Sequence, residues 1–217
     1  VTAIDHFVRA LDRSLAGPAR LKKDLISEAR DGLVDAAAAY RGDGLPPAEA
    51  EGRAVREFGR LPEVAPAFQA ELATAAAQRL TLWLALVPMA LGAGSDLMWR
   101  GAPWTSVTPP PGYGLLASGI DRLGTLLAVG GLVAYAWLAW SAHRGRVVPV
   151  TVARRFALAG LCAVATLGGG TVSIYALTVA TTRAALTWPP MIIGLVVIGV
   201  ALGWLARSAA RCLSWTS

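Results

Sequence analysis

Acids, bases, nucleophiles and metal ligands are the raw material of chemistry, and this chain spaces few of them usefully. Beyond residue 79 it carries only two carboxylates, Asp96 and Asp121. Asp96 closes the run Gly92-Ala93-Gly94-Ser95-Asp96, a glycine-rich aspartate setting that resembles a proteolytic site. Such work needs two acids sharing one site, one as base and one as acid. Asp121 lies at the edge of a different apolar run, so that pair is missing. Asp96 therefore reads as an intramembrane polar residue near one interface, paired with Arg100 four positions on or making a polar contact within a helix bundle.

Nucleophilic catalysis fares no better. The two histidines, His6 and His143, fall in the polar first third and at the end of an apolar run, where neither can serve as base to a nucleophile inside a membrane. Cys162 and Cys212 sit in different surroundings and read as inert thiols rather than a disulfide or a metal pair. The sequence has no phosphate loop of the Gly-x-x-x-x-Gly-Lys type, no paired-histidine zinc helix and no dinucleotide fingerprint. The expectation is a protein that is not an enzyme and takes no cofactor.

The elements that must position these residues divide between two solvents. The chain has 217 residues, 55% hydrophobic and 16% charged, against about 25% charged in an average soluble domain. Residues 1–79 carry 11 Lys+Arg and 12 Asp+Glu, whereas residues 80–217 carry 9 basic and 2 acidic groups. The net charges are thus −1 and +7. Basic residues beside apolar runs point to membrane topology rather than nucleic acid, and the near-neutral first third lacks the cationic face that phosphate neutralisation demands. No direct nucleic-acid partner is expected.

In the first third, Ile4, Phe7, Val8, Leu11 and Leu15 recur at helical spacing, and Gly17-Pro18 ends that helix. A second helix over about 19–40 stripes Leu21, Leu25, Ala29, Leu33, Ala36 and Tyr40, then stops at Arg41-Gly42-Asp43-Gly44, a turn suited to positive φ. A third opens at Leu45-Pro46-Pro47 with acids in its first turn and ends at Gly59. A fourth begins near Pro62, carries Val64, Phe68 and Leu72 on one face, and runs through alanines toward the first apolar span.

Four spans are expected, at about 80–99, 123–142, 156–180 and 190–206, since crossing takes roughly 20 apolar residues. The fold class is therefore all-α: a helical module at 1–78 followed by a transmembrane domain at 79–217. Arg79, the connector arginines Arg144, Arg146, Arg154 and Arg155, and Arg207 and Arg211 mark the cytoplasmic side. The other side receives Arg100, Arg122, Arg183 and the loop with Pro109-Pro110-Pro111. No secretory signal is visible, and both termini are expected inside a bacterial inner membrane. Gly168-Gly169-Gly170 interrupts the third span. Gly199 and Gly203 form a small-xxx-small pattern, read as packing within the chain or as a homo-oligomer seam.

One stretch carries a resemblance. Leu25, Glu28, Asp31, Leu33 and Asp35, followed by Glu49-Ala50-Glu51, Arg53-Ala54-Val55, Glu57-Phe58-Gly59 and Glu63-Val64-Ala65, resemble the helical module known as the HAAS domain or permease prefix domain. About a quarter of the chain is covered, and the Glu-Ala-Glu-x-Arg-Ala-Val-x-Glu-Phe-Gly run is its specific part. The resemblance implies a membrane-bound signalling or regulatory protein whose cytoplasmic module binds a PadR-like transcriptional regulator. The residues expected to take part are Leu25, Glu28, Leu33, Glu51, Val55 and Phe58. The alternative it leaves is a small transporter component or an accessory subunit of an ABC-type permease. The family has no assigned catalytic residues to carry over.

Overall fold

The computed structural model describes residues 2–99, 108–144 and 148–215. Its elements, in chain order, are α1 (Ala3–Ser14), α2 (Ala19–Gly42), α3 (Pro47–Phe58), α4 (Leu61–Trp99), α5 (Tyr113–His143), α6 (Val150–Thr181), a 3-10 turn (Arg183–Thr187) and α7 (Pro189–Ser214). No strand occurs among the described residues, so the fold is all-α as the periodicity requires.

The first three helices and the start of α4 enclose one core. The α1 stripe of Ile4, Phe7, Val8, Leu11 and Leu15 is buried in full, and meets Leu25, Ala29 and Leu33 of α2, Ala54 of α3 and Leu72 of α4. Helix ends follow local rules. Thr2 caps α1, its side chain accepting from the Asp5 N–H while the Asp5 carboxylate accepts from the Thr2 N–H. Gly44 turns the chain between α2 and α3 at φ 91°. Gly59 closes α3 at φ 113° and ψ 165°, a region open in practice only to glycine.

Four helices, α4 to α7, are long and apolar enough to cross a membrane, which makes this a multi-pass membrane protein. Large apolar side chains line their outer faces, among them Leu126, Val129 and Val133 on α5 and Ile193, Val196 and Val200 on α7. Such a surface suits lipid rather than water. In the bundle α4 packs on α5, α6 and α7, and α6 on α5 and α7. Among the described residues α5 and α7 do not meet, so the α4–α6 pair forms the middle of the bundle. At Gly131 the α5 and α4 backbones come close: an added Cβ would stand 2.8 Å from the Thr81 carbonyl oxygen and 3.0 Å from the Ala85 nitrogen. Only a glycine lets α5 lie this near the α4 backbone.

The helices outrun the expected spans. The first lies within α4, which runs unbroken for 39 residues, or about 58 Å at 1.5 Å per residue, through Pro66 and Pro88. The division drawn at residue 78 falls inside one continuous helix, in keeping with the alanine run that leads from the module toward the first span. The second span starts ten residues earlier than expected, so residues 113–121 are helix instead of connector. Arg154 and Arg155 belong to α6 rather than to the connector, and α7 continues past the expected end of the fourth span through Arg207 and Arg211. Gly168-Gly169-Gly170 does not interrupt α6, because unwinding in lipid would strand backbone polar groups that have no water to meet.

Candidate partner surface and its link to the membrane helices

Polar ties fix the outer shape of the amino-terminal module. Asp5 of α1 also takes Arg30 of α2 as an ion-pair partner, and Lys22 reaches Asp12 at 3.1 Å. The hydrogen bond from the Thr2 backbone, aided by Arg30, holds the Asp5 carboxyl below its ordinary range. The Ala3 N–H donates to Glu51 Oε2 at 3.1 Å, which fastens the start of α1 to α3.

Where α2 ends, Tyr40 donates its hydroxyl proton to Glu57, Arg53 Nε donates to Glu57 Oε1 at 2.9 Å, and the Arg53 guanidinium lies 4.5 Å from the centre of the Tyr40 ring. The Tyr40 hydrogen bond, then the one from Arg53, lowers the Glu57 pKa, and the same carboxylate raises that of Tyr40. The sequence run that carries the resemblance thus supplies the α2–α3 lock.

The residues expected to bind a partner divide by burial. Leu25 and Leu33 are buried in the module core, and Val55 and Phe58 pack against it from the side. Phe58 meets the Phe7 ring edge to face, with centroids 5.6 Å apart. These four shape the module from within, and in this fold Leu25 and Leu33 offer a partner no surface. Glu51 is engaged with the Ala3 N–H. Glu28 alone of the six faces solvent freely, and it belongs to a ridge of Asp24, Glu28, Asp31 and Asp35 along the exposed side of α2. None of the four has an ion-pair partner among the described residues. Spacing of four, three and four residues puts them on one face.

One residue that sequence reasoning missed joins the module to the membrane helices. Gln69, on α4, accepts from the Ala16 N–H at 2.9 Å and donates through Nε2 to the Ala16 carbonyl at 2.8 Å. The same Nε2 donates to the Trp215 carbonyl at 2.8 Å. One amide thereby clamps the α1–α2 linker and the residue that caps the end of α7. Beside it Gly17 rides on Leu72, where an added Cβ would come within 3.0 Å of the leucine Cβ. The carboxyl end of α7 and the module therefore share one end of the bundle.

The remaining expectations fall elsewhere. The Asp96 side chain, together with Arg100 and residues 101–107, lies outside the described residues, as does Arg146. Gly199 and Gly203 have nothing within 4 Å of an added Cβ, so they pack no helix of this chain, and the reading of that pattern as internal packing is corrected. Both glycines lie on an outward face of α7. Among the described residues no three His, Cys, Asp or Glu side chains converge as metal ligands would. Compared with family models, curated proteins and solved structures, the chain matches none.

Proposed function

We propose that this is a regulatory protein of the bacterial inner membrane, with both termini in the cytoplasm, whose amino-terminal module binds a PadR-like transcriptional regulator. The observation that carries the reading is the continuity of α4, which contributes Leu72 to the module core and then enters the bundle without a break. A tilt or shift of the spans is transmitted to the module by a rigid rod, with no flexible linker to absorb it. The arginines at the module's end of the bundle support a cytoplasmic placement. The acidic α2 ridge supplies the docking face, and its charge complements the basic surface that a DNA-binding regulator presents.

The full chain, solubilised in mild detergent and mixed with the PadR-like regulator of the same organism, should form a complex that Glu28→Lys with Asp31→Lys weakens about tenfold or more. Absence of a complex at high micromolar concentration refutes the reading. Co-purification with an ATPase in place of the regulator favours a permease subunit instead.

A further inference from the structure

Helices α4 and α7 leave a two-part cleft on the bundle surface at the module end. Its apolar part is an open, shallow groove of about 510 Å³, walled by Trp83, Val87, Val196, Val200 and Trp204, with no polar lining. Its outer part, about 130 Å³, also has Trp83 and Trp204 in its wall, but adds Arg79, Ser208, Arg211 and Trp215. The two indoles that both parts share meet edge to face at 4.9 Å. Apolar and cationic compartments are thus continuous through a tryptophan gate, the depth at which indoles settle in a bilayer.

We propose that this cleft binds one anionic glycerophospholipid, its headgroup phosphate between Arg79 and Arg211 and an acyl chain along the groove. Three observations support it. Neither guanidinium has a carboxylate or any other side-chain partner among the described residues, so both are available to an anion. Arginine forks suit phosphate oxygens, and the Ser208 hydroxyl beside them, which donates to the Trp204 carbonyl, is left able to accept from a headgroup hydroxyl. The length also fits: Val196 to Trp204 rises about 12 Å along α7, close to the roughly 15 Å of one leaflet's hydrocarbon. The groove volume lies within the range of about 300–1,000 Å³ usual for small-molecule sites.

A free phosphate would fill only the outer part and leave the apolar groove unexplained, which is why a lipid is the occupant. Pro18 and Trp215 also line the outer part. The headgroup would therefore touch both the α1–α2 linker and the end of α7, the two segments that Gln69 holds together. This site stands apart from the acidic α2 ridge and does not depend on which protein, if any, docks there.

Native mass spectrometry of the delipidated full chain, titrated with phosphatidylglycerol, phosphatidylcholine or inorganic phosphate, tests the proposal. One phosphatidylglycerol should be retained at least about tenfold more tightly than phosphatidylcholine. Arg79→Gln and Arg211→Gln should each erase most of that preference, while Arg211→Lys keeps part of it. Ala201→Trp, which fills the groove, should weaken both lipids, with circular dichroism confirming that the helices remain. Equal binding of the two lipids, an unchanged preference in the glutamine variants, or inorganic phosphate competing as well as the lipid would overturn it.

Discussion

Replacing Gln69 by leucine keeps the side-chain bulk and removes three hydrogen bonds, two to Ala16 and one to Trp215. A neutral hydrogen bond is worth about 0.5–1.5 kcal/mol net. The two to Ala16 are exposed to water that can replace them, so the sum lies at the low end, about 1–3 kcal/mol. That loss falls on local opening of the clamp rather than on global unfolding, since Leu72 and the rest of the module core stay in place. Hydrogen exchange of the full chain in detergent should show residues 16–17 exchanging about tenfold faster or more, with smaller changes in the interior of α1 and α2.

A second variant separates the two arms of the clamp. In Gln69→Glu the carboxylate still accepts from the Ala16 N–H but can no longer donate to the carbonyls of Ala16 and Trp215. It should keep the Ala16 N–H protected while releasing both carbonyls, and with that of Trp215 the carboxyl end of α7. Thr74→Val, which loses only a bond back to the Ala70 carbonyl one turn away, serves as the control and should leave both segments unchanged. If the leucine variant exchanges like the parent at both segments, Gln69 clamps nothing.

The neighbouring glycines of α5 make a matched pair. Gly131→Ala puts a Cβ against the α4 backbone and should destabilise the bundle by about 1–3 kcal/mol, an overpacking cost. Gly130→Ala, with open space around it, should be neutral or stabilising by up to about 1 kcal/mol; thermal unfolding in detergent reads the difference, and identical shifts would contradict the α4–α5 packing. Stability should also depend on pH at both extremes. Asp5 and Glu57, held below ordinary values of 3.8 and 4.5, contribute fully above those values and lose their contribution as pH falls through the lowered folded values. Tyr40, raised above 10.0, contributes below that value and loses its contribution as pH rises past the folded one. Acid and alkaline melts of the full chain should show both edges, with Asp5→Asn blunting the first and Tyr40→Phe the second.

What could be read from sequence depended on whether a role is local. The α1 stripe was legible because burial of Ile4, Phe7, Val8 and Leu11 follows directly from a period of 3.6. Gly44 and Gly59 were legible because a turn of positive φ is a property of one residue. Span ends were not, since apolar length reports the thickness of hydrocarbon, while the helices continue into the interface for as long as their backbone bonds can be made. Arg154, Arg155, Arg207 and Arg211 therefore extend helices that they had seemed to bound. Gly131 and Gln69 were invisible for another reason. One depends on the register of α5 against α4, the other on a carbonyl 146 positions away, and neither distance leaves a mark in local spacing.

The partner residues show the same division at the site. A motif that recurs for the sake of folding looks, in one sequence, like a motif that recurs for binding. Leu25, Leu33, Val55 and Phe58 carry the resemblance because they build the module, and only Glu28 among the chosen six lies free on the surface. On the function proposed above, a regulator docked on α2 would sense the spans indirectly. Two routes are open: α4 and α7 tilt together and carry the module as one body, or the Gln69 clamp opens and the linker moves against α4. The first leaves exchange at residues 16–17 constant while the signal is present; the second raises it. The leucine variant mimics only the second, so a Gln69→Leu protein that binds the regulator as the signalled parent does would assign the switch to the clamp, and one that responds like the unsignalled parent would assign it to the rod.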